Sequence, residues 1–148
     1  MEIKDTLVAS GSLTIVKTNT DGVVTEKLHV PNLVVAVGKT FIASRMVDAS
    51  AAVMSHMTVG SGVTIPAPGD TDVESILGTR KALTSTTPSS NTVTYVATFA
   101  AGESTGAITE AGILNASTAG TMLCRTTFPV VNKAAGDSIT ITWVVQIS

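Results

Sequence analysis

The sequence predicts a mainly β protein, an antiparallel, jelly-roll-like β-sandwich with one helix near residues 33–47. Three observations carry this. First, the closing stretch Asp137–Ile147 puts Ile139, Ile141, Trp143, Val145 and Ile147 on one face, and Ser138, Thr140, Thr142, Val144 and Gln146 on the other. Period-two alternation in β-branched residues marks a strand with one buried face, here carrying the only Trp. Second, such a face needs a covering layer, and no series of helices precedes it. Third, roughly eight strand-like runs at short spacing are separated by turn residues, the pattern of a sandwich. At 148 residues the chain fits a single domain, 1–148, large enough for a real core.

Taken in order, Ser12–Thr18 and Val23–Val30 flank Asn19-Thr20-Asp21-Gly22, a hairpin signal that makes 12–30 an N-terminal hairpin. Leu13 and Ile15 alternate with Ser12 and Thr14; on the return, Leu28 and Val30 alternate with Lys27 and His29, while Glu26 interrupts the apolar face near the turn. Pro31 ends the ladder because it has no N–H to give. Over 33–47 the period changes: Val34, Val37, Phe41 and Ile42 follow helical spacing, with Asn32 placed to cap the helix. Gly38 weakens that helix.

The sandwich strands then occupy 54–147. Met54–Val59 reads as a strand, Gly60–Gly62 as a turn, Thr64–Asp72 as a proline-containing loop and Asp72–Leu77 as one helical turn. Thr79–Thr84 reads as a strand, Thr86–Ser90 as a loop and Asn91–Phe99 as a strand. After a turn at Gly102–Gly106 come Ala107–Asn115 and Thr121–Phe128, and Asn132–Gly136 leads into the closing strand.

Composition bounds the function. Charged residues are 14% against roughly 25% in an ordinary soluble domain. Thr, Ser, Ala and Gly take their place, which fits either a Thr-lined surface or one covered by other copies or partners. A net charge of −2 argues against nucleic acid as a partner. One Cys leaves no disulfide framework and no thiolate cluster for zinc. The charged Met1–Asp5 stretch argues against a secretory signal, and the longest apolar run, Leu33–Val37, is too short for a bilayer.

Candidate chemistry is sparse. Gly60-x-Gly62 lacks the Lys-Ser/Thr and third Gly of a phosphate loop, so a tight turn is the plainer reading. Asp70-x-Asp72-x-Glu74 could meet a hard cation, but lacks the rest of a calcium loop; Asp72 and Glu74 serve equally as a helix cap and first-turn acid. His29, His56 and Cys124 are the nucleophile and imidazole candidates, with Cys124 patterned as core. Asn115-Ala116-Ser117 matches a glycosylation sequon, which matters only in a secreted chain. Glu110 and Arg125 are lone charges in neighbouring uncharged strands, expected to pair across the hairpin. A glycosidase would need a carboxylate pair in a cleft, and 3% aromatic residues are few for a sugar platform. The expectation is therefore no enzyme, with no catalytic, cofactor or metal residues and no small-molecule substrate.

The stretches Pro31–Val35, Gly38–Arg45, Met54–Gly62, Thr94–Phe99, Thr109–Asn115, Thr121–Phe128 and Asp137–Trp143 together resemble small structural proteins of tailed bacteriophages and prophages. The resemblance implies a virion component made in the host bacterial cytoplasm. It implies a capsid decoration or cement protein whose partners are the major capsid protein, copies of itself, or both. A tail-fibre or baseplate protein for attachment or tail assembly is the alternative. It brings no catalytic residue with it, and no membrane partner.

Overall fold

A computed structural model of the chain describes residues 1–47 and 50–148. Within them, two antiparallel five-stranded sheets face each other across one core. The strands are β1 (Ala9–Thr18), β2 (Val24–Pro31), β3 (Leu33–Val34), β4 (His56–Gly60) and β5 (Lys81–Ala82). They continue with β6 (Ser85–Ser89), β7 (Thr92–Phe99), β8 (Gly106–Leu114), β9 (Met122–Lys133) and β10 (Ser138–Ile147). The first sheet runs β2-β1-β10-β7-β6 and the second β3-β9-β8-β4-β5. This order establishes the expected sandwich; it does not by itself make the wiring that of a jelly roll.

β10 is the middle strand of its sheet, between β1 and β7. Trp143 stands opposite Leu13 on one side and Tyr95 on the other. Ile139, Ile141 and Trp143 have no exposed surface, so the alternation in the sequence does mark the core face. Met57, Val59, Ile113, Cys124 and Phe128 meet them from the second sheet. The β1–β2 hairpin closes as expected: Asn19 Oδ1 accepts the amides of Asp21 and Val23, and Gly22 takes φ 77°.

The helix, α1 (Ala36–Ser44), is shorter than 33–47. Leu33 and Val34 pair with Arg125 and Cys124 as an edge of the second sheet, so helical backbone cannot begin before them. Asn32 is not the cap. Its Oδ1 accepts the Trp143 indole N–H at 3.0 Å, and Val35 stands at the N-cap without a side-chain bond. Gly38 is buried where any Cβ would overlap the Leu123 carbonyl, which accounts for a helix-weakening residue at that position.

Three further expectations fail for tertiary reasons. Asp72–Leu77 makes no helical turn, because the Glu74 and Ser75 amides point to a side chain of β8 and Leu77 N bonds Val59 O. The loop expected at Thr86–Ser90 is largely strand β6, which lies at a sheet edge where Pro88 is tolerated. The strand expected at Thr79–Thr84 shrinks to Lys81–Ala82. β9 also runs on to Lys133, with Phe128, Pro129 and Val130 bulging against the single residue Thr109.

Candidate functional site

The polar groups singled out in the sequence converge on the outer face of the second sheet. Below the bulge, Glu110 stands opposite Thr127, and Arg125 stands opposite Gly112. Both side chains point away from the core, yet Glu110 is fully buried and Arg125 only 2% exposed. The cover is the segment 61–79, which leaves β4 and crosses back over the sheet.

Glu110 gathers that segment. Its Oε1 accepts the amides of Gly62 (2.9 Å) and Ser75 (2.8 Å), and its Oε2 accepts the amide of Glu74 (2.9 Å). Arg125 Nε and Nη2 reach the same Oε2 at 3.1 and 2.8 Å. Arg125 Nη2 also donates to Thr64 O at 3.0 Å, and Nη1 to Asp70 Oδ2 at 2.8 Å. Asp70 Oδ2 accepts the Ala67 amide, and Glu74 Oε2 the Thr64 amide. Nearly every donor of the guanidinium and both carboxylate oxygens of Glu110 are committed to protein partners.

The electrostatics agree with the geometry. Burial pushes the Glu110 carboxyl upward, but the Glu74, Ser75 and Gly62 amides and the Arg125 guanidinium outweigh it and hold the group below the usual carboxylate range. Burial works against the Arg125 charge too, and Glu110 and Asp70 more than restore it. Glu74 is held low by its bonds to Thr64. Each charge is stabilised as a charge, as a structural clasp requires, and the Glu110 carboxyl is moved away from the near-neutral pKa that suits a general acid or base.

The glycines of Gly60-x-Gly62 have a specific reason. A Cβ on Gly60 would overlap Ser75 O and Glu110 Oε1, and one on Gly62 would fall 2.5 Å from the same carboxylate oxygen. The Gly-x-Gly turn thus admits an anion, but an internal one. The three acids of the loop are likewise engaged: Asp70 and Glu74 around Arg125, and Asp72 with Arg80 Nη2 at 2.7 Å. Among the described residues, no group of three or more His, Cys, Asp or Glu side chains is arranged to hold a metal ion.

The remaining candidates stay apart. His29 is exposed on β2, with Thr14 Oγ1 2.9 Å from its Nδ1. His56 Nδ1 lies 2.8 Å from Ser55 Oγ. Cys124 is fully buried in the core, where burial pushes its thiol well above the ordinary value. His56 precedes the core residue Met57 on β4 and so faces the opposite side of the sheet from Cys124; no dyad forms. Asn115 bonds Thr121 N and Ala52 O as a turn residue.

Two polar anchors carried no signal in the sequence. Arg80 Nη1 donates to Ala116 O and Ala119 O, tying the segment to the β8–β9 turn. Lys133, 2% exposed, donates to Ala100 O at 2.9 Å. Both act through backbone carbonyls distant in sequence, and spacing alone cannot reveal such partners. An apolar groove of about 470 Å³ lies between α1 and the start of β1. No helix of the described residues is long and apolar enough to cross a membrane. Comparison with protein-family models, with curated proteins and with solved structures finds no match for this chain.

Proposed function

We propose that this chain is a non-enzymatic structural component of a tailed-phage virion, a capsid decoration protein that docks on the outer shell. The observation that carries the reading is the outer face of the first sheet. Across its three central strands the outward rows run Thr14–Thr142–Val96 and Val16–Thr140–Thr98. No ionisable side chain points outward from β1, β10 or β7; Lys27 and His29 stand on the edge strand β2. The helix packs on β9 of the other sheet and leaves this face open. An uncharged Thr/Val surface on so charge-poor a chain suits a broad contact in which desolvation costs little.

The polar clasp fits the same reading, since its groups are spent on holding the fold. The partners are then the major capsid protein and copies of this chain. The phage-protein resemblance supports a virion component, with a tail-fibre or baseplate role as the alternative to the shell. The test is co-sedimentation with capsid shells stripped of minor proteins, using wild type and Thr142→Arg. Wild type should pellet with shells, and the Arg variant, melting normally, should stay in solution. Wild type that ignores shells, or a Thr142→Arg variant that binds equally, contradicts the reading.

A further inference from the structure

The clasp does more than close the sheet: it presents two aliphatic side chains to solvent. Val63 and Ile65 are 74% and 80% exposed, on either side of Thr64. Thr64 is fixed at both ends, its amide on Glu74 and its carbonyl on Arg125. Pro66 and Pro68 stiffen the backbone beyond Ile65, and the Ala67 amide is held by Asp70. A pre-ordered apolar tip binds without the ordering cost that a loose loop incurs.

The chain also carries a recess of matching character. The groove between α1 and the start of β1 is lined by Leu7, Val8, Ile42, Ala43, Met46 and Ile147, with Lys39 at its rim. Its volume of about 470 Å³ falls within the roughly 300–1,000 Å³ of ordinary binding pockets. Charge distinguishes the two surfaces. Behind the tip, the carboxylates of Asp70, Asp72, Glu74 and Glu110 face the guanidiniums of Arg80 and Arg125, a surplus of two negative charges. Lys39 makes no ion pair among the described residues. Within one molecule the tip does not fill the groove: Val63 and Ile65 stay exposed and neither lines it. Pro68 O accepts the Ala36 amide at the start of α1, whereas Ile42 and Met46 lie at its far end, about 10 Å along the axis.

We propose that the Val63–Ile65 tip of one copy seats in the α1–β1 groove of a second copy, with the acidic flank of the loop against Lys39. The contact is heterologous, since tip and groove are different surfaces, and it propagates from copy to copy. It rests on the assembly reading for its purpose, but it uses neither the face of the first sheet nor the shell.

The test is the mass of the purified full chain by light scattering at its highest soluble concentration, with Ile65→Asp and Met46→Asp variants. Both positions are exposed, so each variant should melt near wild type; Ile65→Ser and Met46→Ser replace any that does not. Wild type should self-associate, with affinity falling as salt rises. Each variant alone should lose at least about tenfold in affinity, as for an anchor residue. Mixing the two should restore a one-to-one pair, because each retains the surface that the other lacks. A monomeric wild type, a variant that assembles unaided, or a mixture that stays monomeric overturns the proposal. Shell binding by a chain that never self-associates would overturn this contact alone. Self-association as described, without shell binding, would instead remove the decoration reading.

Discussion

Arg125 Nη2 lies 2.8 Å from Glu110 Oε2 although the two residues are diagonal neighbours on β8 and β9 and not direct partners. The diagonal matters because it leaves Glu110 Oε1 free for the amides of Gly62 and Ser75. One ion pair thereby ties a loop to a sheet. Removing either partner leaves a buried charge, so Glu110→Gln and Arg125→Met should each cost about 3–5 kcal/mol in urea denaturation. The double mutant should recover only part of the loss, since a glutamine keeps one acceptor oxygen, enough for Gly62 and Ser75, while the Glu74 amide loses its own. Strict additivity would mean the pair is not coupled.

Acid should release the same clasp. The folded-state pKa of Glu110 is below its unfolded value of about 4.5, so its contribution is present above that pH and lost as pH falls through the folded value. Wild-type stability should therefore hold from neutral pH to about 5 and fall steeply below about 4.5. Glu110→Gln, already weaker at neutral pH, should show a shallower acid slope. Parallel slopes in pH-dependent urea melts would assign acid sensitivity elsewhere.

Trp143→Ala should cost about 3–5 kcal/mol, as for deletion of any large core aromatic. Trp143→Phe separates packing from the polar contact. It leaves Asn32 Oδ1 without its indole donor, beside an Asn32 Nδ2 that already has no partner. A further loss of about 1–3 kcal/mol is expected relative to a simple ring contraction. If Asn32→Leu on the Phe background restores the midpoint, the loss lies in that bond; a midpoint that does not move places it elsewhere.

Gly38→Ala reverses the usual sign of helix propensity. In an exposed helix the change stabilises by roughly 1 kcal/mol, but here the new methyl meets the Leu123 carbonyl of β9. The variant should melt below wild type. A rise in melting temperature would mean that α1 can lift from the sheet at no cost.

These residues also show how far the sequence can be read. The β10 alternation, the Asn19–Gly22 turn and the pairing of Glu110 with Arg125 come from local pattern, because strand period and turn chemistry are local properties. Asn32 has the local pattern of a helix cap, but its true partner, the Trp143 indole, is 111 positions away. The gathering of Gly60, Gly62, Asp70 and Glu74 around that ion pair is equally non-local. Each has the signature of an ordinary turn or loop residue, and only the path of 61–79 across the second sheet brings them together.

Chelator should leave folding unchanged, since Arg125 and Arg80 already occupy the positions a cation would take among Asp70, Asp72 and Glu74. A fall in melting temperature with chelator would show that a cation competes with those guanidiniums.

Docking on a shell, as proposed, is open to direct observation. Its most direct test is to locate the protein in purified particles by cryo-electron microscopy. The account predicts density of this sandwich on the outer capsid surface, with the outer face of β1, β10 and β7 against the shell. Density confined to the tail, or particles that lack the protein altogether, would contradict it.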